Sequence, residues 1–195
     1  PFVSKIIFKN NEAFNIGDVS NDKRYLSLSK TYTRDNSDVY IYNFETENLN
    51  KILSMETDVN HSSAGFSNDS KYLYYLTDYN SEFKYLNKYN IENGDTTHVQ
   101  KENWDIMQNY FSENGKYRIV AINNDSRTEL KIINTVTDKI LDLPKMPIGN
   151  ISYVNFSPSE KSISFYHGSA KNPNNLYHYD ISNKKLIRLT NSMNP

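Results

Sequence analysis

An all-β fold is what this 195-residue sequence predicts: a partial β-propeller of four four-stranded antiparallel blades. Two observations predict it. A serine-led motif recurs four times, with Ser20, Ser67, Ser112 and Ser157 spaced by 47, 45 and 45 residues. A period of about 45 residues suits one four-stranded blade. The chain also holds 16 Tyr but only 6 Gly and 6 Pro, and aromatic residues favour half-buried pleated surfaces.

The four motifs are Val19-Ser20-Asn21-Asp22-Lys23-Arg24-Tyr25-Leu26, Phe66-Ser67-Asn68-Asp69-Ser70-Lys71-Tyr72-Leu73, Phe111-Ser112-Glu113-Asn114-Gly115-Lys116-Tyr117-Arg118 and Phe156-Ser157-Pro158-Ser159-Glu160-Lys161-Ser162-Ile163. In each, an apolar residue ends a first strand and a polar tetrad closes a tight turn. An Asp-Gly pair is the expected turn chemistry, and Ser157-Pro158-Ser159-Glu160 departs from it. The second strands read Tyr25 to Ser29, Tyr72 to Thr77, Tyr117 to Ile122 and Ile163 to Tyr166. The third read Val39 to Phe44, Lys84 to Ile91, Leu130 to Asn134 and Leu176 to Ile181. Short fourth strands follow at Leu49 to Leu53, Thr97 to Gln100, Lys139 to Leu143 and Leu186 to Leu189.

Phe83, Leu86 and Tyr89 stand three apart, which also fits a helical face. Their register within the repeat argues for strand. The blades then cover about 16–54, 63–100, 108–143 and 152–190 of a single propeller fragment, 1–195. Lys5-Ile6-Ile7-Phe8 reads as the remnant strand of an upstream blade, and Pro1 in place of Met reads as the start of a piece. Blades bury their apolar faces against neighbours, so Phe66, Phe111 and Phe156 are expected between blades. The end blades of an open arc would keep uncovered faces, an expected route to self-association.

Charge and composition exclude several functions. The net charge of -1 comes from 22 basic and 23 acidic residues, so nothing draws the chain to nucleic acid or an anionic membrane. No apolar run approaches the roughly 20 residues of a membrane helix. The absence of Cys excludes disulfides and thiolate chemistry but leaves the compartment open.

The sequence has no G-x-S-x-G nucleophile turn, no H-E-x-x-H zinc motif and no Gly-rich phosphate loop. Catalytic, cofactor-binding and metal residues are therefore all predicted as none. The repeat serines read as turn formers. His178, between Tyr177 and Tyr179, reads as structural, and His98 as an outer-edge residue. His61 and His167 fall in predicted loops and are expected to be solvated. Asp35, Asp38, Asp78 and Asp125 also fall in loops. A ring of carboxylates for an amine or cation is one reading of them, and turn chemistry with solvation is the favoured one. Trp104, the single Trp, lies in the connection from Lys101 to Gln108, where packing against a blade is favoured over anchoring a partner.

Several segments resemble the prolyl oligopeptidase family of serine peptidases, in its acylaminoacyl-peptidase-like branch. They are Leu76 to Leu86, Trp104-Asp105-Ile106 with Tyr110 to Tyr117, and Leu176-Tyr177-His178-Tyr179-Asp180 with Arg188 to Pro195. In that family a similar tail ends the propeller just before the hydrolase domain. The resemblance implies a parent enzyme whose Ser, Asp and His triad lies beyond Pro195. It implies as partners that hydrolase domain and the parent's peptide substrates, whose access the propeller restricts. An independent propeller of the TolB type, docking protein partners, is the competing reading, and a purely structural scaffold is a third.

Overall fold

The computed structural model describes residues 3–53 and 58–193. The expected blade limit at residue 54, and the tail residues Asn194 and Pro195, lie outside the described residues. Fifteen strands follow one another: β1 (Asn15–Val19), β2 (Tyr25–Thr33), β3 (Asn36–Asn43), β4 (Leu49–Lys51), β5 (His61–Phe66), β6 (Tyr72–Thr77), β7 (Tyr85–Asn90), β8 (Thr96–Gln100), β9 (Ile106–Phe111), β10 (Tyr117–Asn124), β11 (Arg127–Asn134), β12 (Asn150–Phe156), β13 (Ser162–Ser169), β14 (Asn172–Asp180) and β15 (Lys185–Arg188). They form four antiparallel meanders, β1-β2-β3-β4, β5-β6-β7-β8, β9-β10-β11 and β12-β13-β14-β15. This is the all-β propeller architecture the repeat predicts. The described residues contain no helix; of the ambiguous stretch, Leu86 and Tyr89 lie in the strand β7, and Phe83 stands in the bend before it.

The repeat motif builds the same hairpin four times. The N–H of Ser20, Ser67, Ser112 and Ser157 donates to the carbonyl five residues on, each at 2.9 Å. Each serine carbonyl accepts from the N–H three residues on, at 2.8–2.9 Å. That third residue is left-handed every time: Lys23 at φ 63°, Ser70 at 58°, Gly115 at 72° and Glu160 at 54°. The atypical turn at Ser157 closes like the others, because the fixed φ of Pro158 suits the second position of such a turn.

The first strand of every sheet carries a register shift, at Ile16/Val19 in β1, Ser63/Phe66 in β5, opposite Ala121/Ile122 in β9 and at Ser152/Asn155 in β12. Such bulges bend a strand and re-aim its side chains.

The third sheet differs from expectation. Lys139 to Leu143 is reduced to one antiparallel bridge between Ile133 and Ile140. Two hydrogen bonds flank it, Asn134 N–H to Lys139 O at 2.9 Å and Leu141 N–H to Ile132 O at 2.7 Å. Pro144 follows at once; it lacks an N–H and restricts Leu143, so the ladder stops. Leu141 and Leu143 pack on the core instead. Residues 5–8, expected as a strand, form none in the described structure, since a strand requires a paired neighbour. Phe8 instead lies against Tyr42, ring centroids 4.9 Å apart.

The chain divides into two compact units, one ending at Lys101 and the other beginning at Glu102. In the first unit, Val39, Ile41 and Ile52 of the first sheet meet Phe66, Leu73 and Tyr75 of the second. The other face of the first sheet holds Leu26 and Leu28, with Phe14 and Phe8 folded over it. In the second unit, Tyr117, Ile119 and Ile132 meet Val154, Ile163, Phe165 and Tyr179. Phe66 and Phe156 thus enter the layers between sheets as expected, Phe156 stacking on Tyr117 at 4.8 Å. Phe111 is partly buried.

Candidate functional site

The repeat serines are occupied by the backbone. Ser20, Ser67, Ser112 and Ser157 Oγ accept from the N–H five residues on at 2.9, 3.0, 2.9 and 3.3 Å. Ser20 and Ser67 also donate to Asp22 and Asp69 at 2.6 Å. A serine used this way is a turn former, its hydroxyl already engaged by the backbone of its own turn. Among the described residues, no group of three or more His, Asp or Glu is arranged to hold a metal ion.

The first unit contains a buried polar seam between its two sheets. His61 opens β5 at 2% exposure, and neither ring nitrogen has a hydrogen-bond partner among the described residues. Its ring meets Tyr75 edge-on at 6.1 Å. The Ser37 hydroxyl donates to His61 O at 2.7 Å, and Ser37 N–H donates to Val59 O at 3.0 Å. Asn60 N–H donates to Asp78 Oδ1 at 2.8 Å, while Lys84 Nζ donates to Asn60 Oδ1 at 2.9 Å. Asp38 pairs with Lys51 at 2.7 Å. Burial pushes the His61 imidazole below its usual value; Asp38 and Asp78 pull it up, and Lys51 adds to the lowering.

These positions correct the expected loop placements. His61 lies in a strand and is buried, as is His167 in β13, whose Nε2 lies 3.1 Å from Pro147 O. Asp38 lies in β3 and is buried in an ion pair. Asp35 and Asp125 do sit in hairpin turns, and Asp78 in the loop after β6. A signal for His61 existed. Six residues before each repeat serine stand Phe14, His61, Ile106 and Ile151, so the histidine occupies a position that is apolar in the other three repeats. His178 lies in β14, half-buried. His98 is exposed on β8, 5.5 Å from the Tyr85 ring. Trp104 keeps 36% of its surface exposed.

The second unit contains a cavity of about 490 Å³ between its two sheets. Met107, Gln108 and Tyr110 of β9 face Ile151, Ser152 and Tyr153 of β12 across it. Tyr110 donates its hydroxyl to Val154 O at 3.2 Å, and burial pushes that hydroxyl up to about 12. None of the residues lining the cavity carries a charge. Its volume falls within the roughly 300–1,000 Å³ typical of small-ligand sites.

Solved structures share this fold. TolB from Acinetobacter baumannii superposes with a TM-score of 0.68 at 14% identity, covering 91% of this chain and 44% of that one. A structure from a study of two prolyl endopeptidases gives 0.71 at 14% identity, covering 90% and 26%. A puromycin-hydrolysing peptidase of Mycobacterium tuberculosis gives 0.71 at 9% identity, covering 94% and 29%. The chain therefore spans less than half the length of each. No curated protein matches it in sequence. The family described as the prolyl oligopeptidase N-terminal β-propeller domain matches residues 4–191, nearly the whole chain. With four repeated antiparallel meanders and serines committed to turns, this chain belongs to the prolyl oligopeptidase N-terminal β-propeller family.

Proposed function

We propose that the chain is the non-catalytic propeller segment of a prolyl-oligopeptidase-like serine peptidase, restricting substrate access to a hydrolase domain carried elsewhere in the parent protein. The observation that carries this reading is the family match over residues 4–191. The commitment of all four repeat serines to turn hydrogen bonds supports the non-catalytic part. The tail from Leu176 to Asp180 and from Arg188 onward supports the acylaminoacyl-peptidase-like branch. Fold by itself does not confer function, so the reading needs a direct test. The parent protein, intact and with this segment deleted, is assayed on a blocked dipeptide and on an unfolded polypeptide. Gating predicts that the intact protein cleaves only the dipeptide and that the deletion admits the polypeptide. An unchanged preference, or a parent gene without a G-x-S-x-G motif, overturns it.

A second reading is favoured by the likeness to TolB structures: a propeller that binds protein partners without a hydrolase. A stop codon close after Pro195 in the parent gene, with no hydrolase sequence following, supports it.

A further inference from the structure

His61 stands between two groups of hydrogen bonds that cross from the first sheet to the second. On one side, Ser37 N–H donates to Val59 O at 3.0 Å, the Ser37 hydroxyl to His61 O at 2.7 Å, and Asn60 Nδ2 to Arg34 O at 2.9 Å. Ser37 of β3 and Asn60, just before β5, also form an isolated parallel bridge. On the other side, Ser63 N–H donates to Ser29 Oγ at 3.0 Å, and the Ser63 hydroxyl to Ser27 Oγ at 2.7 Å. Neither nitrogen of the buried ring has a partner among the described residues, so water reaches them only when these bonds part.

A charge on that ring finds no carboxylate waiting for it. Asp38 of β3 and Asp78 after β6 are the acids that act on it, and both are engaged: Asp38 pairs with Lys51 of β4 at 2.7 Å, and Asp78 Oδ1 accepts from Asn60 N–H at 2.8 Å. Lys51 repels a protonated ring, and the Tyr75 ring of β6 meets it edge-on. Lys84 donates to Asn60 Oδ1 at 2.9 Å, and Asp58 Oδ1 accepts from Asn36 Nδ2 at 2.9 Å. A buried imidazolium without a partner is unstable, whereas a hydrated one forms near pH 6.5. The seam therefore closes on the neutral ring and parts around the charged one. The bonds at risk are local. Each sheet keeps its own ladder, β2 on β3 and β6 on β7, and Phe66 at the far end of β5 packs with Val39, Ile41 and Leu73.

We propose that protonation of His61 opens the polar end of this seam while both sheets stay folded, a proton-sensitive gate within the first unit. The gate depends on neither the hydrolase reading nor the TolB-like one. The test follows amide hydrogen exchange, residue by residue, in the whole 195-residue chain. Rates at about pH 7.5 and about pH 5.5 are each divided by the intrinsic rate of an unstructured amide at that pH. Exchange at Ser37 and Ser63 should be nearly independent of low urea concentrations, because a local opening exposes little surface, while ladder amides of β2 and β6 should lose protection as urea is added. Protection at Ser37 and Ser63 should fall about tenfold between the two pH values, the factor for a ring that protonates near pH 6.5 once open. His61→Leu, as apolar as Ile106 and Ile151 at the same place in later repeats, should abolish that fall. His61→Phe, matching Phe14 in the first repeat, gives the same reading if the leucine chain does not fold. Equal protection at the two pH values, a fall that persists without His61, or a urea dependence at Ser37 and Ser63 equal to that of the ladder amides overturns the proposal.

Discussion

The N–H of Asn114, in the turn of the third sheet, donates to Glu160 Oε1 in the turn of the fourth at 3.0 Å. The same geometry recurs in the first unit, where the N–H of Asp22 donates to Ser70 Oγ at 3.2 Å. In both pairs the donor stands two residues after its repeat serine and the acceptor three residues after the next. The acceptors are the left-handed residues of their turns, Ser70 at φ 58° and Glu160 at φ 54°. In these two turns one backbone conformation both shapes the hairpin and aims a side chain at the preceding blade. Glu160 is 5% exposed and Ser70 3%, so each acceptor is sheltered from competing water.

Removing that acceptor should be costly. Glu160→Ala removes the acceptor of the Asn114 N–H, and because Asn114 is itself exposed to water the expected loss is that of one ordinary hydrogen bond, about 0.5–1.5 kcal/mol. Glu160→Gln keeps a carbonyl oxygen and should lose less. Denaturant unfolding of both variants checks the order; equal losses would mean that the hydrogen bond contributes nothing.

His61 should make stability depend on pH. Its folded pKa lies below the ordinary 6.5, chiefly through burial. Between the two values the unfolded chain takes up a proton and the folded chain does not, so unfolding gains as pH falls. The contribution is fully present above about pH 6.5, declines below it and levels off under the folded pKa. His61→Leu removes both unpartnered nitrogens and should flatten this part of the profile. Melting temperatures at pH 5 to 8 for the two chains measure it, and matching slopes would refute the assignment.

Gly17 is required for space. A Cβ there would lie 2.5 Å from Ser27 Oγ, 2.8 Å from Ser63 Oγ and 3.0 Å from Ser27 O. The two hydroxyls cannot simply move, because Ser63 Oγ bonds Ser27 Oγ at 2.7 Å and Asp18 N–H donates to Ser27 Oγ at 2.8 Å. Gly17→Ala should destabilise by about 1–3 kcal/mol. Ser63→Ala in the same chain should recover part of the loss, which a double-mutant cycle reads directly.

The isolated chain should hydrolyse neither peptide nor ester. Ser112→Ala should lower stability by about 0.5–1.5 kcal/mol through its lost bond with Tyr117 N–H, and should leave no activity to compare. Turnover that co-purifies with the chain and disappears with Ser112, Ser20, Ser67 or Ser157 would contradict this.

What the sequence by itself determined is the local and periodic part. A serine every 45 or 47 residues, with an aromatic or apolar strand on each side, marks the hairpins. Each turn is closed by groups at most five residues apart, so its chemistry is written in one short window. The tertiary structure decided what depends on a neighbouring sheet. The burial of His61 follows from how β5 meets the first sheet, and the acceptor role of Glu160 from a turn 46 positions earlier. The left-handed backbone of Tyr153, at φ 52°, follows from a bulge in the pairing of β12 with β13, and the shortened fourth strand after β11 from Pro144 and from leucines that pack on the core. These features arise from burial and register, and both are set by contacts between residues far apart in the chain.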